Sequence, residues 1–255
     1  MKKTRLIMPN ISNVRKTTFE GNPWYNLMGM LYLNKKYNNN CVVIPSTRYP
    51  IEHTDISIRW LQTDGIDGYI NIPSDFWVEL EKHLDHSHDK RFIIFPFGFS
   101  CTSSGGHATY LIYDLHNQIM ERFDSIGNVN SECLKAKDVD EKIKLLFKNK
   151  FNIKKYLKPF IKYKIFQELQ DEENESLPSD PKYGFCSVWA IFWADLRLAN
   201  PDIERVQLIK LALDQFLERD ESLTEFIRGY SNNIVEFSKQ YKKSKSIHRK
   251  NKNEY

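Results

Sequence analysis

Tyr183-Gly184-Phe185-Cys186-Ser187-Val188-Trp189-Ala190-Ile191-Phe192-Trp193-Ala194-Asp195-Leu196-Arg197 is the stretch around which the chain is arranged. After the glycine and the cysteine it is apolar at almost every position over helical length. A helix apolar on all sides belongs in the middle of a domain. The reading therefore predicts a buried rod that carries Cys186 in its first turn. Unpaired N–H groups and the macrodipole at a helix start favour an anion, which lowers a thiol pKa and makes a cysteine nucleophilic. The plain alternative is one more small buried hydrophobe. What weighs for the nucleophile is a histidine, an acid and a glutamine elsewhere in the chain.

The 255 residues suffice for one large domain or two small ones with a real core. Apolar and charged fractions are those of an ordinary soluble globular protein. A net charge of +4 is too small to make the whole chain a nucleic-acid binder, although the charge is unevenly spread. Cys41, Cys101, Cys133 and Cys186 lie far apart with no CxxC pair, neither a zinc signature nor a disulfide framework. Free thiols in a reducing compartment follow. The opening Met1-Lys2-Lys3-Thr4-Arg5-Leu6-Ile7-Met8 breaks on Pro9 and Asn10, which speaks against a secretory signal. No stretch approaches the roughly 20 apolar residues of a membrane span. The expectation is an intracellular protein without membrane, metal or cofactor. His83, His86 and His88 are read as a solvated turn at a helix end rather than a metal site.

Three regions are expected: an irregular lead-in over 1–22, a main domain over 23–237 and a basic, disordered tail over 238–255. Within the domain, Trp24 to Leu33 reads as a buried helix and Cys41 to Ile44 as a short strand. Phe76, Leu80 and Leu84 recur every four residues, one face of a helix ending near Asp85. Phe92 to Phe97 is a strand whose Pro96 suggests an edge or a bend. His107 to Tyr113 and Ile119 to Asp124 read as a β-hairpin. Residues 134–164 hold eleven lysines against three acids around an amphipathic helix with Val139, Ile143 and Phe147 on one side. Residues 168–180 turn acidic and read as a solvated loop. Pro201 and Asp202 restart a helix, and Ser222 caps another running to about Phe237.

His107 and Asp124 stand seventeen residues apart across the predicted hairpin. A register with Asp114 opposite Asn117 puts His107 directly across from Asp124 on the same face. A carboxylate there accepts from one ring nitrogen and leaves the other for a thiol, the arrangement an activated cysteine needs. The plain account has Asp124 opening the Asp124-Ser125-Ile126-Gly127 turn. An acyl-transfer site also needs oxyanion donors. The N–H of Cys186 is one, and a side-chain amide of Gln167 or Gln170 is the other candidate.

The order His107, Asp124, Gln167, Cys186, with Gly184-Phe185-Cys186 opening a tryptophan-rich helix, resembles the ubiquitin-like-protein (SUMO) protease/adenain clan of cysteine peptidases. It is most similar to the branch encoded by large DNA viruses, through Asp180-Pro181-Lys182-Tyr183-Gly184-Phe185-Cys186-Ser187-Val188-Trp189 and Asp195-Leu196-Arg197-Leu198-Ala199-Asn200-Pro201. The resemblance covers roughly residues 90–215. It implies Cys186 as nucleophile, His107 as base then acid, Asp124 as its orienter and Gln167 as oxyanion donor. It implies an α+β, papain-like/adenain-like cysteine protease fold, with a central mixed β-sheet packed against the nucleophile's helix. Two features depart from the pattern. Ala108 stands where many relatives have an aromatic, and Gln167 lies nineteen residues before Cys186, so the choice between Gln167 and Gln170 stays open.

By this resemblance the chain is a thiol endopeptidase cutting after Gly-Gly or Gly-X-Gly, processing viral structural precursors during virion maturation in the virion or host cytoplasm. A cleft that excludes a Cβ would select glycine. The alternatives are an isopeptidase acting on ubiquitin or a ubiquitin-like modifier, and a non-enzymatic virion or nucleic-acid-binding protein on an inactive scaffold. Weak nucleic-acid contact through the lysine-rich 134–164 region and the tail is a further expectation, since adenovirus-type relatives are DNA-stimulated.

Overall fold

The computed structural model describes residues 5–13, 17–37, 41–43, 58–62, 68–72, 74, 76–85, 89–101, 105–127, 136–160, 164–175, 185–219 and 222–252. The predicted histidine turn at His86 and His88 lies outside them. A seven-stranded mixed sheet organises the chain. Its strands are β1 (Cys41–Val43), β2 (Ile58–Gln62), β3 (Tyr69–Asn71), β4 (Phe92–Cys101), β5 (Gly105–Asp114), β6 (Ile119–Phe123) and β7 (Lys155–Leu157). They run in the order β3-β2-β4-β5-β6-β7, with β1 also on β4. The class is α+β, as the sequence predicts.

Side chains alternate along the central strands, and each face has its own helices. Phe92, Ile94, Tyr110, Ile112 and Phe123 meet α1 (Pro23–Lys36), α4 (Phe166–Glu175), α5 (Phe185–Ala199), α6 (Arg205–Glu218) and α7 (Leu223–Lys252) in one core. Ile93, Phe95, Phe97, Phe99, Leu111 and Met120 meet α2 (Phe76–Asp85) and α3 (Ala136–Lys148) in the other. The predicted stripe of Val139, Ile143 and Phe147 is wholly buried there.

Four expectations are corrected. Pro96 sits mid-strand in the centre of the sheet, not at an edge. It falls between Phe92–Ile94, paired with β1, and Phe97–Cys101, paired with β2, and no partner on that side is paired with it among the described residues. The start of the acidic block is helical. Phe166 and Gln170 turn inward from α4, while Asp171 and Glu172 face out. Helix α6 starts at Arg205, capped by Glu204, which accepts from the N–H groups of Val206 and Gln207. Helix α7, expected to stop near Phe237, continues past that position and is described to Lys252. Ser238 accepts from the Trp24 indole at 2.8 Å, and Tyr241 packs edge-on against the same Trp24 ring, so α1 holds the helix beyond that boundary.

The lead-in carries no helix or strand among its described residues, but it is pinned. Ile7 exchanges two 2.8 Å bonds with the Asn200 side chain, and Ser12 donates to Gly229. No helix among the described residues is long and apolar enough to cross a membrane.

Candidate active site

Helix α5 is buried along its length because its apolar residues go all the way round. Its tryptophans fix its position. Trp193 stacks on Phe123 of β6 at 4.8 Å and donates to Glu121 of the same strand at 3.0 Å. Trp189 stacks on Phe166 at 5.2 Å and donates to Gln170 at 2.6 Å. Further along, Asp195 accepts from Lys36, Tyr37 and Tyr230, tying α1 and α7 to the rod. A Cβ on Gly29 would lie 2.3 Å from Ile191, so glycine permits the close approach of α1. These contacts set where the second residue of α5, Cys186, stands relative to β5 and β6.

The hairpin differs from the expected register by two residues. Tyr110 pairs with Phe123 and Asp114 with Ile119. The connection is longer than the predicted tight turn because Asp114 Oδ1 accepts from the N–H groups of His116 and Asn117, and Gln118 takes φ 57°. A two-residue offset preserves the face of every side chain, whereas a one-residue offset would reverse it. His107, beyond the paired segment, therefore still meets Asp124, just past the end of β6.

His107 Nε2 lies 2.7 Å from Asp124 Oδ1, and its ring stacks on Phe99 at 6.1 Å. A side-chain hydrogen bond joins the same histidine to Cys186. With Nε2 engaged by the carboxylate, Nδ1 is the nitrogen left for the thiol. Asp124 is buried, and its Oδ1 also accepts from the N–H of Ile126. Its backbone opens the predicted turn: Gly127 donates to Asp124 O, at φ 81° that suits glycine. The turn and the orienting carboxylate are thus two uses of one residue.

Burial pushes the Cys186 thiol up, but the bond to His107, the charge of that ring and the N–H groups of Ala108 and Ser187 outweigh it. The thiol is held below its ordinary range. Burial would lower His107, yet the charge and hydrogen bond of Asp124, aided by Cys186, raise it to about 10. The two shifts run in the directions that favour a thiolate beside an imidazolium. The ring remains 21% exposed, so the pair is open to an incoming group.

The two glutamines differ. Gln170 is buried and its carbonyl oxygen takes the Trp189 indole. Gln167 is half-buried and its Oε1 accepts from Ser125 Oγ at 2.6 Å, while its N–H donates to Ser125 O. That fixes Gln167 one residue from Asp124. Sequence reasoning missed Ser125 as its anchor, and missed Arg122, which donates to Asp124 Oδ2 at 3.4 Å and to Asp140 at 2.9 Å. The available signal was two charges two apart on a strand, which share a face.

The chain matches no protein-family model. It is 28% identical over 272 residues to an ankyrin repeat protein of Acanthamoeba polyphaga mimivirus; the match covers 94% of this chain and 34% of that protein, about a third of its length. In structure it is similar to ChlaDub1 of Chlamydia trachomatis, at 10% identity and TM-score 0.47, over 89% of this chain and 96% of that one. It is also similar to the SUMO protease Ulp1, at 12% identity and TM-score 0.40, over 88% and 81%. The Chlamydia trachomatis effector Cdu1 bound to ubiquitin gives 11% identity and TM-score 0.42, over 84% and 93%.

Proposed function

We propose that the chain is a cysteine endopeptidase in which Cys186 is the nucleophile, His107 the base and then the acid, and Asp124 the orienting carboxylate. The contact of His107 with both Asp124 and Cys186 is the observation that carries this reading. The Cys186 thiolate attacks the scissile carbonyl carbon, and the C=O pair moves onto oxygen. The N–H of Cys186 at the start of α5 and the amide of Gln167 stabilise that oxyanion, with Gln170 as the alternative donor. Imidazolium His107 passes its proton to the leaving amine as the C–N bond breaks, giving a thioester. His107 then takes a proton from water, whose oxygen attacks the thioester, and the acid product leaves with the thiolate restored.

Peptides cut after Gly-Gly or Gly-X-Gly are the proposed substrates, in precursor proteins processed within a virus particle or the host cytoplasm. The same groups would serve an isopeptidase releasing ubiquitin-like modifiers, because an isopeptide amide is attacked in the same way. Incubation with Gly-Gly precursor peptides and with ubiquitin and SUMO C-terminal amides, read by mass spectrometry, separates the two. Cleavage by wild type and not by Cys186→Ala is expected. A folded wild type that cuts none of these, and whose Cys186 resists a peptide vinyl sulfone, would support the non-enzymatic scaffold instead. Contact with nucleic acid through exposed Lys137, Lys144 and Lys148 of α3 and Lys239, Lys242 and Lys243 of α7 would appear as salt-sensitive retention on DNA.

A further inference from the structure

Arg122 is among the most enclosed charges of the molecule, 1% exposed, and the reaction outlined above gives it no part. It stands on β6 two residues before Asp124, on the same face. Its Nε donates to Asp140 Oδ1 of α3 at 2.9 Å, and Nη1 reaches Asp124 Oδ2 at 3.4 Å. Tyr156 of β7 donates its hydroxyl to the same Asp140 oxygen at 2.8 Å. The guanidinium lies 5.6 Å over Phe99, the ring on which His107 stacks. A run of contacts thus leads from the histidine through β4, β6, α3 and β7.

Charge decides what this run does. Asp124, Arg122 and Asp140 sum to one negative charge in a buried space, and Tyr156 adds none, because burial and Asp140 raise its hydroxyl. That net negative charge lies on the His107 side of the thiol–imidazole pair, so it favours a proton on the ring over one on the sulfur, while the total is the same for either. Arg122 is closer to Asp140 than to Asp124, which leaves Asp124 Oδ1 for the imidazole. Arg122 Nη2 and Asp140 Oδ2 have no hydrogen-bond partner among the described residues.

We infer that Arg122 and Asp140 are positioning residues for the His107–Asp124 pair: Arg122 holds the second oxygen of Asp124, and Asp140 neutralises Arg122 so that it does not oppose the imidazolium. The inference rests on the reading of His107 as the base. Among the described residues, the groups facing His107 are Asp124 after β6, Cys186 of α5, Phe99 of β4 and, behind Asp124, Arg122 with Asp140 and Tyr156.

Asp140→Asn keeps the shape and removes the balancing charge. In a folded Asp140→Asn chain the His107 pKa, followed by NMR of its ring protons, falls by about one unit or more. The alkaline limb of kcat for Gly-Gly peptide hydrolysis moves down with it. Arg122→Met combined with Asp140→Asn removes both charges, and buried ion pairs exchanged for apolar groups often keep their stability. In that double variant the His107 pKa returns to within about 0.5 unit of wild type. Its kcat is about tenfold lower at unchanged KM, because Asp124 has lost its guide. An Asp140→Asn variant that titrates like wild type, or a double variant that titrates like the single one, overturns the inference. If Asp140→Asn does not fold, wild-type kcat in the double variant overturns it. Should wild type hydrolyse no peptide, the peptidase reading falls, while the His107 titration still decides the charge-balancing role.

Discussion

Cys41 and Cys186 are both free thiols near the start of an element packed on the same core, β1 in one case and α5 in the other. Burial acts on both in the same direction and ends in opposite chemistry. At Cys41 it pushes the thiol up to about 12, and the opposing charge of Lys90 does not overcome it. At Cys186 the penalty is overcome by the bond to His107, the ring's charge and two backbone N–H groups. Apolar surroundings alone make a cysteine inert; a charged donor at contact distance makes it a nucleophile. The difference lies in the strand ends that bring His107 and Asp124 over the start of α5, with no counterpart at Cys41 among the described residues.

Variants at the two sites break or sharpen this contrast. Cys186→Ala removes the nucleophile and lowers peptide turnover by at least about 10⁴-fold, with the thermal midpoint unmoved. A residual activity near wild type would place the chemistry elsewhere. Asp124→Asn leaves the ring without its carboxylate partner and costs on the order of 10²–10⁴ in kcat. Its signature is Cys186 alkylation moving toward the pH of an ordinary thiol. Gln167→Ala lowers kcat by about 10²-fold and leaves the pH of Cys186 alkylation where it was, since an oxyanion donor acts only after attack. The same result from Gln170→Ala instead would transfer that role to the amide under Trp189. Cys41→Ala leaves kcat unchanged and costs about 1 kcal/mol in urea unfolding, the loss of a small buried group.

The helices were readable because their apolar spacing has few alternatives. Phe76, Leu80 and Leu84 mark α2, Val139, Ile143 and Phe147 mark α3, and the run after Cys186 marks α5. The pairing of His107 with Asp124 was readable from spacing alone, though its register was not. That register depends on a turn built by the Asp114 side chain and on a positive φ at Gln118, which no hydrophobic pattern encodes. Helix α4 was hidden because its acidic outer face dominates the composition, while Phe166 and Gln170, four apart, carried the inward signal. The continuation of α7 was hidden because its support comes from Trp24, more than two hundred residues away. Arg122 escaped for a similar reason: its partner Asp140 adjoins the apolar stripe of a separate helix.

The thiolate–imidazolium pair is tested most directly by site-resolved alkylation of the folded wild-type chain with iodoacetamide across pH, read by peptide mass spectrometry. The account predicts that Cys186 is modified rapidly at neutral pH and that its titration lies below the roughly 8.5 of a free thiol. Cys41 stays unmodified over the same range, and His107→Ala moves Cys186 up toward the ordinary value. A wild-type Cys186 that titrates at or above the value of a free thiol, or one indifferent to His107→Ala, would contradict it.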